Sequence, residues 1–196
     1  MIKKLTIPVD HGNRNMKTTH FLFTTGLSST DRKPAGREDF LQTEGKFYVL
    51  SDKRIPYQRD KTQDERFSIL TRFAIAKELE RTGQVTEEDV VQVSLPIGVP
   101  PKHYSELAER YREYFLGDGK MQNLVYNGRT YHICIQDVAV YPQAYAAMMT
   151  EGEKIRQIPK AVGIDIGGFT SDFLLMRSGS PCLDYCDSME KGVITM

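Results

Sequence analysis

The sequence predicts an α/β fold, and three observations carry that reading. Strand-like apolar runs alternate with runs of helical period along the 196 residues. An Asn-Gly pair separates two alternating β runs, and two further apolar runs each end in Asp-x-Gly before a second apolar run begins. The length suits one domain or two small lobes, with room for a core.

Charge and composition narrow the class. Lys plus Arg (26) cancel Asp plus Glu (26), without a long run of one sign, so neither direct nucleic-acid binding nor an acidic-membrane surface is expected. The start MIKKLTIPVDHG has too short an apolar stretch for a secretory signal, and no window nears the roughly 18 apolar residues of a span. A soluble, cytoplasmic protein is expected. Cys182 and Cys186 lie in PCLDYCD, which reads as a strand. At about 3.3 Å per residue their Cα atoms would stand roughly 13 Å apart, too far for a disulfide. His11, His20, His103 and His132 are scattered, without the spacing of a zinc site.

Taken in order, KKLTIPVDHGNRNMKTTHFLFTTG reads as strand, polar turn, strand. Residues 28–66 are polar, with strand-like pieces such as KFYVL, and read as a loop-rich insertion or subdomain. DERFSILTRFAIAKELERTG has a helical apolar period through Phe67, Leu70, Phe73, Ala74 and Leu79, stopped by Gly83. VVQVSLPIG is a strand, and PPKHYSELAERYREYFLG a helix with prolines at its start and Gly117 at its end. MQNLVYNGRTYHICIQDVAVYP predicts a type I′ hairpin at Asn127-Gly128, since both turn positions need positive φ. PQAYAAMMTEGEKI follows as a short helix whose Ala-Met run reads as packing surface. AVGIDIGGFTSDFLLM is a strand pair, CLDYCDSM a third strand, and EKGVITM a helix just beginning.

Asp10-His11-Gly12 and Asp165-Ile166-Gly167 occupy the same setting. Glycine lets a backbone take positive φ and approach a ligand closely. Successive N–H groups in such a turn make an anion-binding concavity. An Asp at the strand end repels phosphate but can hold a hydrated Mg²⁺ that bridges to it. Two facing hairpins of this kind would clamp a nucleoside polyphosphate. Asp-x-Gly is also an ordinary hairpin signal, and on the residues alone both readings stand. The basic, partly aromatic DKRIPYQRDK is either a contact surface or a solvated loop.

VDHGNRNMK, DVAVYPQAYAAMM and GIDIGGFTSDF resemble, in order and separation, the phosphate-1, first-connecting and phosphate-2 motifs of the actin, chaperone-ATPase and sugar-kinase superfamily. SLPIGVPPKHY and CDSMEKGV fall where ParM/StbA-type bacterial actin-like proteins, which segregate plasmids, have similar segments. The resemblance runs from about residue 7 to the end and is weakest across 28–66. It implies an actin-like (ribonuclease H-like) lobe with a mixed sheet of five-stranded type and flanking helices over 1–157. It also implies the first strands of a second, similar lobe over 158–196. The cofactors implied are ATP or GTP and Mg²⁺. By position, Asp10 and Asp165 would hold Mg²⁺ through water. Gly12, Asn13, Asn15 and Lys17 would contact phosphates, as would Gly167, Gly168 and Thr170. Lys17 suits actin-like and chaperone ATPases better than sugar kinases. Gln143 stands where the family places the residue that positions the attacking water. ParM-like members usually have Glu there and actins Gln, and a Gln orients water without accepting its proton. Arg14 has no family counterpart.

The later adenosine-binding glycines do not appear in the sequence, so it reads as the N-terminal part of an actin-like ATPase or as a short descendant. The full-length form would polymerise with Mg-ATP, self-associate into filaments or dimers, and meet a DNA-binding adaptor protein. The 196 residues alone would hydrolyse ATP weakly or not at all, and strands from 161 onward would expose an unfinished sheet edge. A small-molecule kinase of the same superfold, or a non-catalytic single-lobe interaction module, are the alternatives.

Overall fold

In the computed structural model, residues 1–36 and 39–194 are described. The chain opens with β1 (Ile2–Thr6), β2 (Asp10–His11), β3 (Asn15–Lys17), β4 (Leu22–Thr24), β5 (Leu27–Thr30), β6 (Phe40–Thr43) and β7 (Lys46–Leu50). Next come α1 (Arg66–Thr82), β8 (Val90–Val99), a 3-10 turn at Pro101–His103 and α2 (Tyr104–Leu116). Then follow β9 (Gln122–Tyr126), β10 (Arg129–Pro142), α3 (Tyr145–Met149) and α4 (Gly152–Gln157). The last elements are β11 (Lys160–Ile166), β12 (Ser171–Arg177), β13 (Ser180–Pro181), a 3-10 turn at Leu183–Tyr185 and β14 (Asp187–Met189). The α/β class is as predicted.

The chain forms two compact units. One comprises Met1–Ile97 with Arg112–Ala139, and the other Gly98–Tyr111 with the residues from Val140 onward. Both are discontinuous in sequence.

In the first unit the main sheet has seven strands, ordered β1-β8-β10-β9-β6-β7-β5, where a sheet of five-stranded type was expected. The excess comes from residues 28–66. KFYVL is a strand as read, and it has partners: β6 pairs antiparallel with both β7 and β9, and β5 pairs with β7. Phe40, Leu41 and Tyr48 are buried and anchor this extension. β1 and β8 run parallel. The predicted opening strand divides, since Asp10 and His11 turn into a separate three-stranded sheet, β2-β3-β4. Helix α1 supplies much of the core. Phe67, Leu70, Phe73, Ala74 and Leu79, the residues of its apolar period, are all buried. Gly83 ends it at φ 62°, and Asn127 and Gly128 take φ 50° and 86° at the predicted hairpin.

Two ion-pair clusters fasten loops to α1. Glu78, buried, accepts from the Thr18 hydroxyl at 2.5 Å and the His20 N–H at 2.9 Å, and pairs with His20 Nδ1 at 2.7 Å. Asp64 is gripped by Arg66 through Nε at 2.9 Å and Nη2 at 2.6 Å, and by Gln58 Nε2 at 2.9 Å. The Arg66 fork holds the Asp64 carboxyl down to about 2, from an ordinary 3.8. A depressed carboxyl contributes stability that is full above its unfolded pKa and is lost as pH falls through the folded one. Stability should therefore decline between about pH 4 and pH 2, and Asp64→Asn should flatten that decline. Thermal melts across this range check it; an unchanged slope in the variant would show that Asp64 contributes nothing.

In the second unit β11, β12 and β13 form an antiparallel sheet, with β14 also on β12. Its core is Ile155, Leu174 and Met176, against which Ala144, Tyr145, Met148 and Met149 pack. The Ala-Met run is thus packing surface, as read, although the predicted single helix is split into α3 and α4. Val162, Ile164 and Ile166 on the edge strand β11 are 60%, 60% and 57% exposed. Of the expected third strand CLDYCDSM, only Asp187–Met189 is strand, as β14. A 3-10 turn at Leu183–Tyr185 folds the preceding residues so that Cys186 Sγ lies 3.2 Å from the Cys182 carbonyl, far closer than an extended chain allows. Cys134, Cys182 and Cys186 are all free thiols. The expected helix at EKGVITM shows a turn at residues 193–194, and residues 195–196 lie outside the described residues.

Candidate functional site

The ten predicted site residues divide equally. Asp10, Gly12, Asn13, Asn15 and Lys17 belong to the first unit, and Gln143, Asp165, Gly167, Gly168 and Thr170 to the second.

In the first hairpin β2 and β3 pair antiparallel, with Asp10 opposite Lys17 and His11 opposite Met16. Opposite residues share a face, and Lys17 Nζ donates to Asp10 Oδ2 at 2.9 Å. The expected metal-holding carboxylate and the expected phosphate-binding ammonium are therefore partners. Gly12 is required by close approach rather than by positive φ, since a Cβ there would lie 2.5 Å from the Asn15 carbonyl oxygen. Asn13 Oδ1 accepts the Gln58 N–H at 3.0 Å, which commits that oxygen to the fold. His11 is fully buried between strand and helix, stacked on Phe115 at 4.4 Å. The Thr71 hydroxyl, 2.7 Å from His11 Nε2, donates to the Phe67 carbonyl. It therefore accepts from the imidazole, which fixes the proton on Nε2. Burial, with the nearby Lys61 ammonium, holds the His11 pKa well below its ordinary value. His11 anchors the hairpin as a neutral ring.

In the second hairpin β11 and β12 place Asp165 opposite Asp172 and Ile166 opposite Ser171. Gly167 N–H closes the turn onto the Thr170 carbonyl at 2.8 Å. Thr170 Oγ1 lies 3.3 Å from Asp172 Oδ2. Neither Gly167 nor Gly168 has positive φ. Their carbonyls are instead crowded from outside: Val193 and Ile194 N–H donate to Gly167 and Gly168 oxygens at 3.0 and 2.9 Å. A Cβ on Gly192 would come within 2.6 Å of both residues.

Gln143 lies in a turn two residues before α3 rather than on the helix. Its N–H donates to the Val99 carbonyl at 2.8 Å, and its Cγ packs over Gly98. The next residue, Ala144, is left-handed at φ 67°, a strained conformation for a residue with a Cβ.

Asp172 escaped the sequence reading. The signal was present as a spacing of seven, which sets Asp10 opposite Lys17 and Asp165 opposite Asp172 across two turns of equal length. Thr25 also escaped it; buried, it donates through Oγ1 to the Gly12 carbonyl at 2.6 Å. Among the described residues no three His, Cys, Asp or Glu side chains gather as a metal cluster. No helix among them is long and apolar enough to cross a membrane.

Residues 8–145 match the family model for the N-terminal domain of actin like proteins. Of solved structures, the apo ParM protein of pSK41 is similar at TM-score 0.76 and 15% identity, over 98% of this chain and 68% of that one. An AlfA filament bound to AMPPNP is similar at TM-score 0.72 and 15% identity, over 97% and 71%. Ta0583, an archaeal actin homologue in complex with ADP, is similar at TM-score 0.72 and 19% identity, over 96% and 61%. At these identities the likeness is one of fold. No curated protein matches the chain.

Proposed function

We propose that this chain, which belongs to the actin-like proteins and carries their N-terminal domain, binds ATP or GTP with Mg²⁺ and serves nucleotide-dependent filament formation of the plasmid-segregation type. The observation that carries the reading is the pair of hairpins with matched register, Asp10 opposite Lys17 and Asp165 opposite Asp172.

The two hairpins differ in charge, and the difference suggests a division of labour. Lys17 already balances Asp10. Asp165 and Asp172 stand directly opposite and set two carboxylates on one face. Hard oxygen donors of this kind fit Mg²⁺, which keeps several waters of its own. Asp165, with Asp172 beside it, would hold the hydrated ion through water, and Asp10 likewise through water. When bound, the ion would offset phosphate charge. Lys17, Gly12 and Asn15 in one turn, and Gly167, Gly168 and Thr170 in the other, would meet phosphate oxygens. Asn13 would act through its backbone, its side-chain oxygen being committed to Gln58. The Gln143 amide would orient a water by hydrogen bonding without accepting its proton, which favours slow turnover.

The AMPPNP-bound AlfA filament and the ADP complex of Ta0583 support nucleotide binding in relatives of this fold. Filaments in such proteins arise from head-to-tail, heterologous contacts, and a DNA-binding adaptor would couple them to a plasmid. Light scattering of the full-length protein should rise when Mg-ATP is added. A flat trace across micromolar concentrations overturns the filament half of the proposal, whereas calorimetry with Mg-ATP tests the nucleotide half by itself.

A further inference from the structure

A turn can offer N–H groups to an anion only if its carbonyl oxygens face elsewhere. In a trans peptide the C=O and the following N–H point in opposite directions, so whatever captures a turn's carbonyls also aims its amides. The second hairpin shows such capture. Val193 and Ile194 take the Gly167 and Gly168 carbonyls, and Ser171 Oγ secures that strap by donating to the Lys191 carbonyl at 2.7 Å.

In the first hairpin one residue makes the equivalent contacts, and we propose that Thr25 is the positioning residue that aims the first turn's amides at phosphate. Its hydroxyl donates to the Gly12 carbonyl at 2.6 Å, and its N–H to the Arg14 carbonyl at 3.0 Å. The Gly12–Asn13 peptide is thereby oriented with its carbonyl toward Thr25 and the Asn13 N–H directed away. Thr25 is itself held from behind. It is fully buried, its carbonyl accepts the Ile55 N–H at 2.9 Å, and three residues on, the Gln58 N–H donates to Asn13 Oδ1. The turn is thus fixed on the 55–58 segment by two residues, neither of which needs to touch a ligand through its side chain. Thr25 lies eight residues beyond Lys17, past a further strand, so the phosphate motif does not reveal it.

The inference rests on the nucleotide-binding reading, and the test separates the two. Calorimetry with Mg-ATP would compare the unsubstituted chain, Thr25→Val, Thr25→Ser and Lys17→Ala, well below their melting transitions. Valine keeps the shape and removes the donor, so T25V should weaken affinity about 5-fold, the scale of one net hydrogen bond. T25S should restore it. Hydrogen exchange at the Asn13 amide should quicken in T25V, a readout that does not depend on ligand. If T25V does not fold, Thr25→Ala, which also removes the donor, takes its place. T25V with unchanged affinity and exchange, beside a weakened Lys17→Ala, overturns the role of Thr25 alone. No effect in Lys17→Ala, or no binding by the unsubstituted chain, overturns the site reading and this inference with it.

Discussion

Replacing Gly26 with alanine should unfold the first compact unit, at a cost of about 4 kcal/mol or more. A Cβ at Gly26 would stand 2.0 Å from the Ser51 carbonyl oxygen and 2.6 Å from that of Lys53. Both are backbone atoms, so no side chain can rotate away. Nor can the backbone part easily, because Gly26 accepts the Ser51 N–H at 3.1 Å and follows Thr25, which holds the Gly12 turn. Separating the strands to admit a methyl group would strip those bonds from a buried segment. Gly83→Ala is the contrast: its φ is 62° with nothing within 4 Å of the added Cβ, so its cost is conformational, about 1 kcal/mol. Denaturant unfolding followed by circular dichroism compares them. A Gly26→Ala variant within about 1 kcal/mol of the unsubstituted protein would refute this account of the crossing.

Most local signals were legible in the sequence and non-local ones were not. Helix α1 ends at Gly83 and the β9–β10 hairpin turns at Asn127-Gly128 because each is decided by a few neighbouring residues. Strand β7 was legible as KFYVL, whereas β6 was obscured in part because one of its edges pairs at a distance, with Leu41 opposite Tyr126 on β9. The two-residue turn at Glu44 and Gly45, both of positive φ, that joins β6 to β7 went unread. Strand β5, LSST, is mostly polar and carries little period of its own. The segment after β12 misled for a related reason. Leu183 and Cys186 both pack onto the Ile155–Leu174–Met176 core, and a 3-10 turn brings them there, whereas a strand's alternation would not. The phosphate-type turns were found in the right places but for an incomplete physical reason. Positive φ was expected of their glycines; the structure shows close approach of backbone to backbone instead, at Gly12 against Asn15, less tightly at Gly167 against Thr170, and at Gly192, which lies over the Gly167–Gly168 turn. Asp172 and Thr25 went unread because register and burial, which a single sequence does not display, give them their meaning.

Asp165→Ala should abolish Mg-dependent nucleotide binding and leave the fold intact. Asp165 is exposed near the end of β11, so truncation opens no cavity. Its cross-strand neighbour is Asp172, 2% exposed, which keeps its place in the central strand β12. Thermal stability should therefore hold within about 1 kcal/mol, as for an exposed site, which separates this substitution from one that simply damages the sheet. Binding should move the other way. Without Asp165 the remaining carboxylate is a poorer holder of a hydrated ion, and the phosphates lose charge compensation worth several kcal/mol. A fall of at least about 100-fold in Mg-ATP affinity is expected, close to 2.7 kcal/mol. ATP with excess EDTA should bind the unsubstituted and variant proteins equally weakly, because the effect acts through the ion. Asp165→Asn should behave like the alanine, since an amide keeps the shape but not the charge. Calorimetry with and without Mg²⁺ makes the comparison. An Asp165→Ala protein that melts normally and still binds Mg-ATP at the unsubstituted affinity would remove the second hairpin from the nucleotide site.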